Sequence, residues 1–138
     1  MSDSIGVEEF VARIEALCIG GSNTFPKRAR DRHVLLASAT LWMEPGGIYT
    51  EAEVNEGLRL WLEQGCPSLQ IDVVTLRREL VDRVYLDRDD AGHQYSPGPG
   101  PRDFAFDPAI GRIDPKQVIK EARLRREQRK QERSAGEI

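Results

Sequence analysis

The residue types best suited to chemistry crowd one short stretch of the chain: Glu51, Glu53, Asn55 and Glu56. Carboxylates this close together can transfer protons or hold a divalent cation. Each also has a simpler task in local structure. Thr50 with Glu53 three residues later is a capping box, which satisfies open N–H groups at a helix start. Glu51 in that first turn meets the positive end of the helix dipole. Asn55 and Glu56 then fall on different faces. Cys18, Cys66, His33 and His93 lack the spacing of zinc ligands. There is no Ser-His-Asp arrangement and no glycine-rich phosphate loop. A non-enzymatic protein with no catalytic residue, cofactor or metal is therefore expected.

The 138-residue chain has a net charge of −3, which argues against a generic nucleic-acid binder. The distribution of that charge says more. Segment 116–133 holds eight lysines and arginines against three glutamates, a net +5, so all other residues together carry −8. In this basic tail Arg125, Arg126, Arg129 and Lys130 are the candidate contacts to nucleic acid or to an acidic protein surface. The plainer account is a solvated helix stabilised by the pairs Glu121–Arg125 and Glu127–Lys130.

Hydrophobic periodicity supplies the frame. Val7, Phe10, Val11, Ile14, Leu17 and Cys18 recur at helical spacing and predict a helix over 4–19. Its stripe packs on its own domain or on a second copy of the chain, and Gly20-Gly21-Ser22-Asn23 ends it. A second helix is predicted over 26–43. Val34, Leu35, Leu36, Ala37, Ala39, Leu41 and Trp42 surround most of it, which marks a central helix. Lys27, Arg28, Arg30 and Arg32 in its first turns are expected to be solvated. Val54, Leu58, Trp61 and Leu62 give the helix after the capping box its core face, with Tyr49 and Val54 as a hydrophobic staple. Asp72 caps a fourth helix with the stripe Val73, Leu76, Leu80 and Val84. Tyr85–Arg88 and His93–Ser96, on either side of Asp89–Gly92, predict a short β-hairpin. Pro97-Gly98-Pro99-Gly100-Pro101 is a stiff linker. Phe104, Phe106, Ile110 and Ile113 are apolar enough to dock back, and Asp114-Pro115 starts a last helix.

The expected fold is mainly α with a small β-hairpin. It comprises an N-terminal amphipathic helix and linker (1–24), a winged-helix-like domain (25–96), a Pro/Gly-rich linker (97–114) and a charged, basic helical tail (115–138). The N-terminus lacks a basic region followed by an apolar stretch, and no apolar run is long enough to span a bilayer. A cytoplasmic protein with no membrane contact is expected.

Residues 25–96 resemble the prokaryotic domain-of-unknown-function family 2087. The resemblance lies in Phe25-Pro26-Lys27, Tyr49-Thr50-Glu51, Glu53-Val54-Asn55 and Leu76-Arg77-Arg78-Glu79-Leu80-Val81-Asp82, followed by Leu86, Arg88, Gly92 and Tyr95. Members of that family occur alone or appended to helix-turn-helix regulators. The resemblance implies a winged-helix-like fold and a loose association with transcription, and supplies no catalytic residue, cofactor or ligand. The family usually has glycine where Val84 stands. A β-branched residue resists the left-handed conformation, so the helix is expected to run on or end differently here. The loop from Gly65 to Ile71 is also longer than usual.

Arg77 and Arg78 are the obvious pair for reading a DNA groove. On a 100° helical step Arg77 falls inside the apolar arc, between Val73 and Val81. Arg78 falls outside it, with Thr75, Glu79 and Asp82. Arg77 is therefore expected to be structural, like Thr50 and Glu53, with its stem buried and its head paired to a carboxylate. On the hairpin, Arg88 and His93 sit among Asp87, Asp89 and Asp90. Arg78 and Arg88 are thus secondary nucleic-acid candidates. The leading expectation is a transcription-associated, winged-helix-like module that contacts nucleic acid mainly through its basic C-terminal helix. The alternative is a protein–protein interaction or homodimerisation module that binds no nucleic acid.

Overall fold

The computed structural model describes residues 3–21 and 23–136. Met1, Ser2, Ser22, Glu137 and Ile138, which the predicted segments 1–24 and 115–138 include, lie outside the described residues. In chain order the elements are β1 (Asp3–Ile5), α1 (Val7–Cys18), α2 (Ala29–Thr40), β2 (Tyr49–Thr50), α3 (Glu51–Leu60), α4 (Val73–Asp82), β3 (Leu86–Arg88), β4 (Gln94–Pro97), β5 (Phe104–Phe106) and α5 (Pro115–Gly136). A π-helical turn, Trp61–Gly65, prolongs α3, and a 3-10 turn, Pro108–Arg112, precedes α5. The protein is mainly α, with a small β part.

Helix α1 starts at Val7, later than its periodicity predicts, because the residues before it are used in a sheet. Strand β1 pairs in parallel with β5, Ile5 opposite Phe106, and Ile5 is 1 % exposed. Gly6 then turns the chain in an extended conformation without a side-chain cap. The stripe Phe10, Ile14 and Cys18 is fully buried, and α1 packs against α2 and α5 of its own chain.

Helix α2 is shorter than the predicted 26–43. Thr40 Oγ donates to the Ala37 carbonyl and Trp42 Nε1 to the Ala39 carbonyl, at 3.1 and 2.8 Å, so side chains satisfy carbonyls at its C-terminal end. All seven residues from His33 to Ala39 are buried, which makes α2 the central helix. Helix α3 begins with the capping box intact: Glu53 N donates to Thr50 Oγ1 at 3.1 Å, and Thr50 N to Glu53 Oε1 at 3.0 Å. It widens into the π turn around Trp61, whose Nε1 donates to Ser38 Oγ at 3.0 Å in the core. Gly65 covers that indole so closely that a Cβ would lie 2.6 Å from Trp61 Cδ1.

Asp72 caps α4 through Thr75 N at 2.8 Å. The end of α4 departs from expectation. Val84 adopts φ 66° although it is β-branched. Val84 N donates to the Val81 carbonyl and Tyr85 N to the Leu80 carbonyl, at 3.1 and 2.9 Å. This is the Schellman pattern that a glycine would make without strain. The helix therefore stops where glycine would stop it, because the paired bonds and the burial of Leu80 and Tyr85 outweigh a left-handed penalty of about 1–2 kcal/mol.

The hairpin forms as predicted, with Arg88 opposite Tyr95. A third strand joins it: β2 pairs antiparallel with β4, Tyr49 opposite Tyr95, giving the order β2-β4-β3. Gly98 N and Gly100 N then donate to the Tyr85 and Val84 carbonyls at 3.0 and 2.8 Å, which fixes the Pro/Gly run to the end of α4. Beyond it, Phe104 lies against the His33 ring at 4.3 Å between centroids, and Phe106 meets Phe10 edge-on at 6.2 Å. Ile5, Phe10, Ile110 and Ile119 share one hydrophobic cluster with residues of 25–96. Asp114 caps α5, with Lys116 N donating to its Oδ1 at 3.0 Å. Among the described residues of α5, those from Arg123 onward are all exposed.

Candidate functional site

Helix α4 and the hairpin form one polar face, and Arg77 holds its inner side. Its guanidinium donates through Nη1 to Asn55 Oδ1 and through Nη2 to Glu51 Oε1, the latter at 2.8 Å. The guanidinium carbon stands 6.0 Å from the Tyr95 ring centroid. The Arg77 side chain is 15 % exposed and Glu51 50 %. One arginine thus joins α4, α3 and β4. Arg78 points outward beside exposed Thr75 and Asp82. Arg88 is exposed on β3, followed by a tight turn in which Asp89 Oδ1 accepts from His93 N and Gln94 N at 2.7 and 3.2 Å. These bonds, the one from Gln94 first, hold the Asp89 carboxyl below its usual range. Asp89 therefore stays negative beside Arg88.

The acidic cluster on α3 does not converge on an empty centre. Glu51 and Asn55 meet Arg77, Glu53 closes the capping box, and Glu56 pairs with Arg59. Among the described residues no group of three His, Cys, Asp or Glu is placed to hold a metal ion. His33 is buried, with Nδ1 2.9 Å from the Tyr85 hydroxyl. Burial, with smaller contributions from Arg83 and Arg32, lowers its pKa and keeps the ring neutral.

The predicted solvation of the α2 N-terminal cations fails at Arg30. Its guanidinium grips Glu9 through Nε and Nη2, and Nη2 also donates to the Ser4 carbonyl at 2.6 Å. Arg13 joins the same Glu9 at 2.6 Å and also meets Asp31. The hydrogen bond from Arg30 is the main cause of a Glu9 pKa lowered to about 2. The Glu9–Arg13 spacing is visible in sequence, but the link to Arg30 exists only once α1 lies across α2.

Helix α5 divides into two halves. Ile119 and Ala122 bury the first half against α1 and the π turn. At the crossing with α1, Arg125 Nη2 pairs with Glu15 Oε1 at 2.7 Å and Arg126 Nη1 donates to the Ile19 carbonyl at 3.2 Å. The predicted Glu121–Arg125 pair is therefore replaced, and Glu121 accepts from Gln117 Nε2 at 3.0 Å instead. Glu15 wins because the helix crossing places it within reach. Arg129 and Lys130 are exposed and have no ion-pair partner among the described residues, so the predicted Glu127–Lys130 pair is absent. Of the four candidate tail residues, two are moored to the body and two are free.

A half-open cavity of about 380 Å³ lies between α2, α3 and the start of α5, walled by Leu41, Trp42, Leu60, Trp61 and Ile113, with Arg112 and Lys116 at its edge. Among the described residues no helix is long and apolar enough to cross a membrane. The family model described as an uncharacterised protein conserved in bacteria (DUF2087) matches residues 23–96. No curated protein and no solved structure matches the chain.

Proposed function

The chain belongs to the DUF2087 family of uncharacterised bacterial proteins, and from that premise we propose that it is a non-enzymatic, winged-helix-like accessory module that contacts nucleic acid through the exposed half of α5. The order helix, strand, helix, helix, strand, strand from α2 to β4, with β2 and β3 flanking β4, supports the winged-helix-like reading. The observation that carries the reading is the separation of charge. A net +5 lies in 116–133 while the rest of the chain carries −8, and the cations after Arg126 are exposed, with no ion-pair partner among the described residues. A phosphate backbone rewards such a projecting cationic helix through release of condensed counterions. The face of α4 is a poorer reader, since Asp82 and the hairpin acids flank Arg78 and Arg88. A transcription-associated setting fits this arrangement.

Binding to a generic DNA duplex and to a single strand, followed across salt concentration, tests the proposal. Contacts from Arg123, Arg129, Lys130 and Arg133 give a log–log salt slope of roughly −3 to −4. Binding that ignores salt, or no binding at low salt, would sink it. A second reading, a protein-interaction or homodimerisation module, draws support from the apolar cavity beside Trp42 and from exposed Leu124. Self-association in ultracentrifugation together with absent nucleic-acid binding would favour it.

A further inference from the structure

The chain has two cysteines, separated by 48 positions, and the fold brings them together. Cys18 is the last residue of α1, and Cys66 ends the π turn. Both are 0 % exposed free thiols in one hydrophobic cluster, and Cys66 lies near enough to Cys18 to raise its pKa. The backbone around them is joined independently. Ser68 Oγ donates to the Leu17 carbonyl at 3.2 Å, and Gln70 N donates to the Asn23 carbonyl at 2.8 Å. Helix α5 packs on both elements that carry the thiols, and Arg126 bonds to Ile19, the residue after Cys18. Two small hydrophobes would fill this space equally well. Two neighbouring buried thiols beneath the basic helix also provide a covalent option.

We propose that Cys18 and Cys66 form a reversible disulfide that locks α1 to the π turn and so fixes the platform on which α5 rests. The oxidant class is a small-molecule disulfide such as oxidised glutathione. One cysteine, deprotonated, attacks the small disulfide and releases one small thiol, leaving a mixed disulfide on the protein. The second cysteine, also deprotonated, attacks the protein sulfur of that adduct and releases the second small thiol. The two protein thiols lose two protons and two electrons, and the small disulfide accepts both pairs. The neighbouring Cys66 thiol, and then burial, raise the Cys18 pKa and disfavour the reactive thiolate. Oxidation therefore waits for the seam between 17–23 and 66–70 to open, and it is slow and sensitive to local stability. The reverse exchange, driven by excess reduced glutathione, restores both thiols.

The test uses the full native chain incubated with oxidised glutathione. Intact mass, peptide mapping and the thermal transition are followed over time. The expected product is a monomer lighter by two hydrogens, with a Cys18–Cys66 linked peptide. Closing a loop this long should raise its Tm by roughly 5–10 °C. Reduced glutathione should reverse both changes. Cys18→Ala and Cys66→Ala should each lose the linked product and the Tm rise. A stable glutathione adduct, a disulfide between two chains, or two unreacted thiols after the unmodified chain is held near its Tm would each overturn the proposal. Formation of the link without a rise in Tm would overturn the locking role. Because the mapping is done on the unmodified chain, the test stands even where an alanine variant fails to fold.

Discussion

Helices α4 and α5 each present two adjacent arginines, and the fold uses them differently. On α4, Arg77 reaches inward to Asn55 and Glu51 and lies by the Tyr95 ring, while Arg78 is left on a face that also bears Asp82. On α5, Arg125 and Arg126 reach sideways to Glu15 and Ile19 and moor the helix, and the cations beyond them are exposed and have no ion-pair partner among the described residues. The element that resembles a DNA-reading helix has its best cation committed to packing. The element that looks like a tail is docked at one end and free at the other. Position in a fold therefore predicts a cation's role better than its motif does.

The largest effect should come from cutting on either side of this boundary. A chain ending at Pro97 loses Phe104, Phe106, Ile110 and Ile119 from the core. Each is worth about 2 kcal/mol of burial, so the total rivals the whole stability of a domain of this size. That chain should lack a cooperative thermal transition, whereas a chain ending at Arg126 should keep its Tm within a few degrees. Equal behaviour of the two would show that α5 has no docked half.

Within the folded chain, Arg77→Ala should destabilise by about 2 kcal/mol in urea unfolding. That lies below the figure for fully buried pairs because Glu51 is half exposed. Arg78→Ala should cost under about 0.5 kcal/mol. Similar losses at both positions would erase the distinction between inner and outer arginine.

Acid should act in two windows. The lowered His33 pKa means that the unfolded chain binds the proton more readily, so stability is full above about pH 6.5 and falls as pH drops below it. Glu9 acts in the same direction in a lower window, because its charged form is the one the fold favours. Its contribution is present above about 4.5 and is lost as pH falls toward 2. Tm measured from pH 8 to 2 should show both declines, and Glu9→Gln should make the lower one shallower, leaving the part due to carboxylates such as Asp89. A smaller effect is expected at the end of α4. Val84→Gly relieves the left-handed valine and should stabilise by about 0.5–1 kcal/mol after the entropy cost of glycine. A loss of stability there would mean that the valine side chain contributes packing despite its 40 % exposure.

Much of this was legible from local pattern. Thr50 with Glu53, Asp72, the hairpin turn and the inward place of Arg77 all depend on spacings of a few residues. What escaped depends on distant segments. Three residues before Gly6 give no strand signal until Phe104–Phe106 lie beside them. Glu15 could not be assigned to Arg125 from 110 positions away. The left-handed Val84 contradicts its own propensity, because bonds to Leu80, Val81 and Gly100 determine it. The family match supports the reading of 23–96 but does not reach the basic helix on which the proposed function rests.

The most direct test sets the two helices against each other in one binding assay at low salt. One full-length variant replaces Arg123, Arg129, Lys130 and Arg133 with glutamine and leaves the moorings Arg125 and Arg126 in place, and a second replaces Arg78 and Arg88. The first variant should lose duplex binding and its salt dependence, while the second should stay within about threefold of the unmodified chain. Loss of binding in the second variant with retention in the first would contradict the proposal, and would make α4 and its hairpin the nucleic-acid reader.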